Sequence, residues 1–218
     1  MIATPIGNLG DITARALETL RSVDFVACED TRKTGLLLHH FEIKKPLVSF
    51  HDHSHKGKAE SLVGKLLSGK TVALVSDAGT PLVSDPGFPL VRDAIQNGIR
   101  IEGIPGPCAL INALVLSGFA TEPFAFFGFL PQKDKKRREF LCEVLHEKKT
   151  LIFYESPYRL LKSLKNIADI FGSRRIALMR EMTKKFEEVV RETADEVFKH
   201  FEKKKILGEF VIVLEGSA

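Results

Sequence analysis

The apolar positions of this chain fall into short buried-strand runs that alternate with helical stripes. Runs at Phe25–Cys28, 71–75 and 99–104 predict strands, and Ile2 with Ala3 reads as the stub of another. Between them, helical spacing covers 13–21 with Leu17 and Leu20 on one face, and then the stretch through Leu36, Leu37 and Leu38. It returns at 58–67 and 88–97. Residues 109–116 form an apolar helix that Gly118 ends, and 117–123 reads as a connection. The second half continues with strand 124–127, helix 135–146, strand 150–154, helix 157–171 and strand Arg175–Arg180. A charged segment at 189–192, helix 194–204 and strand 209–215 complete it. This order predicts an α/β protein of two domains, 1–117 and 123–218. The first would hold a mainly parallel sheet covered on both faces. The second would hold a mixed sheet.

Composition narrows the class. With 44% hydrophobic and 28% charged residues, the 218-residue chain is globular in type, and no apolar run approaches the ~18 residues of a membrane span. The start, MIATPIGN, lacks the basic head and apolar stretch of an export signal. Cys28, Cys108 and Cys142 are far apart with no CxxC pair, which suits reduced thiols in the cytoplasm rather than disulfides or a zinc site. The net charge of +4 lies wholly in the second half, where 121–218 carry 20 Lys+Arg against 16 Asp+Glu. The run Lys133, Lys135, Lys136, Arg137, Arg138 reads either as a solvated helix face or as a surface for nucleic-acid phosphates.

Two motifs mislead. Residues Gly64 to Thr71 fit the phosphate-loop pattern G-x-x-x-x-G-K-[ST] letter for letter. That loop must leave a strand and open a helix; here a helix runs into Gly69 and Thr71 begins a strand, so a helix cap is expected. His51-Asp52-His53-Ser54-His55 has alternating imidazoles, but its polar setting suits an exposed loop better than a metal site.

The segment Ser76-Asp77-Ala78-Gly79-Thr80-Pro81-Leu82-Val83-Ser84-Asp85-Pro86-Gly87 is different. Connections in compact domains usually run ~4–6 residues, and longer ones are more often functional. It follows a buried strand, where open α/β sheets place ligands. Its glycines permit close backbone approach and its prolines stiffen the path. Loops 4–8 and 105–109 follow predicted strands in the same way, and the three are expected to meet.

Taken in order, ATPIGNLGDIT, EDTR, SDAGTPLVSDPG, PGPCA, GFLP, YESPYR and REMTKKFEE resemble the 16S ribosomal RNA cytidine 2′-O-methyltransferase subfamily of the tetrapyrrole-methylase superfamily. The resemblance implies a homodimer of two-domain subunits, with S-adenosylmethionine as methyl donor bound in the cleft between the domains, and no metal. It implies cofactor contacts at Pro5, Ile6, Gly7, Asp77, Gly79, Thr80, Val83, Gly106, Cys108 and Ala109. Thr80 stands where tetrapyrrole-modifying relatives have an acidic residue, and Cys108 where the subfamily usually has Ser.

A ribose 2′-hydroxyl is a weak nucleophile at neutral pH, so some group should take its proton. Candidates are Glu29 and Asp30 of EDTR, Glu155 of YESPYR, and Glu181 and Lys184 of REMTK; a lysine would need a depressed pKa for this. Arg32, Lys136, Arg137, Arg159 and Arg180 are the expected contacts to 16S ribosomal RNA of the small subunit. Two rival readings are a methylase of a small acceptor such as a tetrapyrrole, and a non-catalytic RNA-binding module. SDAGTP and the basic second half argue against the first, and the charged motifs against the second.

Overall fold

The computed structural model describes residues 1–50 and 56–217, and these divide into two compact units, Met1–Cys108 and Ala109–Ala218. The His51–His55 cluster lies outside the described residues. Among the described residues no helix is long and apolar enough to cross a membrane, and no group of His, Cys, Asp or Glu is arranged to hold a metal.

In the first unit, β1 (Phe25–Cys28) runs parallel to β2 (Leu47–Ser49) on one side and β3 (Val72–Val75) on the other. Alternation along β1 divides its side chains between two faces. Val26 and Cys28 join Ala73 and Val75 beneath α1 (Ala14–Ser22) and α2 (Thr31–His40), with Ala16, Leu20 and Leu38. Phe25 and Ala27 join Leu74 beneath α3 (Lys56–Leu67) and α4 (Phe88–Gln96), with Leu62, Val63 and Leu90. Helices on both faces are what βα connections impose on a parallel sheet.

Some boundaries differ from expectation. Residues 99–104 form no strand: only Ile104 bridges, in parallel, to Ile2. Gly103 and Pro105 flank that rung, and Pro105 has no amide to extend it. Strand β2 was not expected; three residues after Pro46 leave no room for an alternating pattern. The phosphate-loop look-alike is a helix end, where the Ser68 amide donates to Gly64 O and the Lys70 amide to Lys65 O.

In the second unit, β4 (Phe124–Phe129), β5 (Thr150–Glu155), β6 (Arg175–Arg180), β7 (Glu188–Thr193) and β8 (Phe210–Leu214) form a sheet of order β4-β5-β8-β6-β7. Only β4 and β5 pair in parallel, so the sheet is mixed. The charged 189–192 segment is thus part of the edge strand β7; its polar look follows from having only one strand neighbour. One face packs Leu151, Phe153, Leu178 and Ile212 against α6 (Asp134–Glu143), α7 (Leu160–Phe171) and α8 (Ala194–Glu202). The other meets α5 (Ala109–Ser117), which packs on β5, β6 and β8. This helix therefore belongs to the second unit, whereas its position before the 117–123 connection had suggested the first. A capping box, Thr193 with Glu196, starts α8 and supplies acceptors for its first amides.

Candidate active site

In the first unit the three loops meet through their backbones. The Thr4 amide donates to Gly79 O (2.9 Å), and the Gly79 amide returns a bond to Thr4 O (3.0 Å). Thr80 Oγ1 donates to Pro107 O (3.1 Å), tying in the 105–109 segment. Gly79 has φ +81, and a Cβ there would stand 3.4 Å from Ile6 Cγ2 and 3.8 Å from Pro107 O. Those distances are ordinary van der Waals contacts, so it is the left-handed dihedral that selects glycine.

The loop is held in unusual conformations beyond its glycines. Leu82 (φ +73) and Ser84 (φ +64) sit in the left-handed region that side chains rarely adopt. Such strain persists where surrounding structure over-determines it, commonly at ligand sites. Pro5 and Gly79 are buried, Ile6, Thr80, Val83, Cys108 and Ala109 half-buried, and Gly7 and Gly106 exposed. A cavity of about 300 Å3 opens beside these loops, lined by Thr4, Pro5, Gly7, Lys33, Ser76 and Asp77 among others.

Asp77 joins this cluster to EDTR. Its Oδ1 accepts the Asp30 amide (3.0 Å) and its Oδ2 the Lys33 ammonium (2.7 Å). Asp30 caps α2 by accepting the Arg32 amide (2.8 Å), and it also takes the Arg32 guanidinium at Oδ1 (3.0 Å) and Oδ2 (2.7 Å). Those bonds from Arg32 hold the Asp30 carboxyl well below the usual carboxylate range, which makes it a poor proton acceptor. The bond to Asp77 raises the Lys33 pKa, with Glu29 adding to the field, so Lys33 stays cationic. Lys33 was missed in the sequence. It lies three residues after the cap Asp30, in the first turn of α2, and that spacing was the available signal.

In the second unit the two other charged motifs are built as supports. Glu155 ends β5, and its side chain is only 1% exposed. Its Oε1 accepts the Ser156 amide (2.8 Å) and the Arg159 guanidinium (2.8 Å), while its Oε2 takes the Ser163 hydroxyl. Both oxygens are thus engaged by groups of the same unit. In REMTK, Lys184 donates to Glu181 Oε1 (2.8 Å) and Glu209 Oε2 (2.8 Å). Burial works against its charge, but the two carboxylates prevail and its pKa rises. Lys184 therefore lacks the depressed pKa that a base role requires. Burial would raise the Glu181 pKa, yet the Lys184 bond and the Glu209 amide outweigh it and lower it.

The expected RNA contacts divide sharply. Arg32, exposed over 88% of its side chain, and Lys136, also exposed, remain open to a polyanion. Arg137 does not: its side chain is 2% exposed. It donates to Asn166 Oδ1 (2.6 Å), Pro131 O (3.3 Å), Gln132 O (3.2 Å) and Asp134 Oδ1 (2.7 Å). Arg159 is likewise turned inward, to Glu155, Ser156 Oγ (3.2 Å) and Leu130 O (3.2 Å). Arg180 bonds Leu207 O (2.8 Å) and faces Glu188 (3.5 Å). A basic run says which residues carry charge, and helix periodicity decides which of them face inward.

Comparison with known proteins bears on the whole chain. The family model described as Tetrapyrrole (Corrin/Porphyrin) Methylases matches residues 1–197. Ribosomal RNA small subunit methyltransferase I of Thermotoga maritima is 48% identical over 217 residues, covering 100% of this chain and 97% of the relative. The protein of the same name from Escherichia coli O157:H7 is 50% identical over 220 residues, covering 99% of this chain and 77% of the relative. Among solved structures, a diphthine synthase superposes with a TM-score of 0.71 at 15% identity, covering 98% of this chain and 88% of that one, which speaks to the fold.

Proposed function

We infer, for a chain that belongs to the tetrapyrrole (corrin/porphyrin) methylase family and to its ribosomal RNA small subunit methyltransferase I group, S-adenosylmethionine-dependent 2′-O-methylation of a cytidine in 16S ribosomal RNA. The observation that carries this reading is near-half identity to ribosomal RNA methyltransferases over the whole chain rather than over a single motif.

S-adenosylmethionine supplies an activated methyl group, and the chain's task is to position a 2′-hydroxyl against it and exclude water. The loop cluster suits such a ligand. Thr4, Gly79, Thr80 and Pro107 bond to one another, so the walls are set before any ligand arrives. We assign cofactor contacts to Pro5, Ile6, Gly7, Gly79, Thr80, Val83, Gly106, Cys108 and Ala109. Asp77, with both oxygens turned to α2, acts as a strut between the cofactor loop and EDTR. Asp30, Glu155, Glu181 and Lys184 are each bonded to other groups of the chain, and the proton acceptor is to be sought by substitution among these four and Glu29, the residue after β1. The working form we propose is a homodimer in the cytoplasm.

The test is transfer of labelled methyl from S-adenosylmethionine to small ribosomal subunits from a strain lacking the activity. Label recovered in an alkali-resistant dinucleotide is the expected result, because a 2′-O-methyl blocks alkaline cleavage. Label on a base, or none on RNA despite cofactor binding, overturns the reading.

A further inference from the structure

Edge strand β4 leaves an aromatic ring open on the second unit. Phe129 is 51% exposed at the end of that strand. The Tyr154 ring meets it at 5.7 Å and 68°, and the Arg159 guanidinium lies 5.8 Å from its centroid. These contacts fix the ring while about half its surface faces solvent.

The backbone that follows Phe129 is pinned with unusual care. Arg159 holds Leu130 O, and Arg137 holds Pro131 O and Gln132 O. Each guanidinium is itself anchored, Arg159 by the buried Glu155 and Arg137 by Asn166 and Asp134. Two arginines expected to touch phosphate are thus spent on the rigidity of residues 130–132. That geometry gives a pre-oriented aromatic surface, the arrangement that lowers the ordering cost of binding.

We propose that Phe129 is a stacking platform for an unpaired nucleobase of the RNA substrate, with Arg137 and Arg159 as its positioning residues. The inference rests on the RNA reading above and names a contact of that substrate. Charge selects the occupant: Lys133, Lys135 and Lys136 are exposed in the segment that follows, and a polyanion gains from them. S-adenosylmethionine, a net cation, would not. Tyr158, the neighbour of Arg159, is 93% exposed and supplies a second ring on the β5–α7 connection. RNA outside a duplex is read in this way, by bases stacked on aromatic and arginine planes.

The test compares Phe129→Ala, Phe129→Trp and Tyr158→Ala with wild type, using small ribosomal subunits and labelled S-adenosylmethionine. Phe129→Ala is expected to raise KM for the subunit about 10-fold or more. Cofactor affinity by calorimetry and molar mass by light scattering should stay as in wild type, and Phe129→Trp should restore KM. Tyr158→Ala, too exposed to disturb folding, should raise KM by a smaller factor. Wild-type KM in Phe129→Ala overturns the proposal, as does loss confined to cofactor affinity or to self-association. If wild type itself labels no RNA, the functional reading fails instead, so the two failures are distinguishable.

Discussion

Asp77 holds Lys33 by a 2.7 Å ion pair that spans 44 positions of sequence, and with its other oxygen it accepts the Asp30 amide. One carboxylate therefore fixes the start of α2 to the loop carrying Gly79. The ammonium side chain is 63% exposed, so the ion pair alone is worth at most about 1 kcal/mol. Asp77→Asn keeps an acceptor for the amide and is expected to cost less than that. Asp77→Ala strands the Asp30 amide and should cost about 1–2 kcal/mol more. Urea unfolding of both variants reads the difference, and equal losses would show that the amide bond contributes nothing.

Gly79→Val combines two penalties. A β-branched side chain would be forced to φ +81, and its two Cγ methyl groups would branch from a Cβ already in van der Waals contact with Ile6 Cγ2 at 3.4 Å. The exchanged bonds with Thr4 should open, and S-adenosylmethionine affinity should fall at least about 100-fold, a loss of about 2.7 kcal/mol. Calorimetric titration measures this, with circular dichroism confirming that the chain remains folded. Affinity unchanged from wild type would move the cofactor site elsewhere.

What the sequence made legible was periodic or loop-bound. β1 and β6 were read to the residue because uninterrupted apolar runs end at charged residues. The contact between loops 4–8 and 76–87 was expected from their shared place after strands, and the Thr4–Gly79 pair realises it. Residues 99–104 misled because an isoleucine-rich run has strand propensity whether or not a neighbour offers backbone partners. The roles of Arg137 and Arg159 were illegible for another reason. A guanidinium suits a carbonyl as well as a phosphate, and only burial tells the two apart.

Glu155→Ala should be among the most damaging single changes in the second unit. It removes the partner of the Arg159 guanidinium and the acceptor of the Ser156 amide and Ser163 hydroxyl. Breaking one side of a buried pair costs about 3–5 kcal/mol. Ser163→Ala deletes a single bond and should cost about 1–3 kcal/mol. Chemical denaturation separates the two, and similar small losses would show that water replaces Glu155 freely.

Glu188 makes stability depend on acid. Burial opposes its ionisation, but bonds from Lys204 and His200 prevail and bring its pKa from the ordinary 4.5 to about 2. A depressed folded-state pKa means that the stabilisation is complete above 4.5 and is lost as pH falls through 2. Wild type should therefore melt above Glu188→Gln at pH 7, and the gap should close between about pH 5 and pH 2. Calorimetric melting at several pH values checks the sign. A gap that widens on acidification would contradict the ion-pair geometry.

Gly208→Ala tests whether REMTK works through placement or through proton transfer. Gly208 has φ +103, and a Cβ there would stand 2.5 Å from Glu181 Cγ and 2.8 Å from its Oε1. The methyl group must push Glu181 off Lys184 and the Glu209 amide, since backbone on the β8 side cannot yield as easily as a side chain. Left-handed strain adds about 1 kcal/mol or more to the loss. Lys184, freed of one carboxylate, should then show a lower pKa, because the bonds to Glu181 and Glu209 are what outweigh its burial. If Lys184 only neutralises these carboxylates, Lys184→Arg should retain kcat and leave the pH profile of kcat/KM unmoved. If instead the lysine takes the proton, arginine cannot substitute at neutral pH, and kcat should collapse with no change in KM. The raised pKa of Lys184 favours the first outcome, and a steady-state pH series on both variants decides between them.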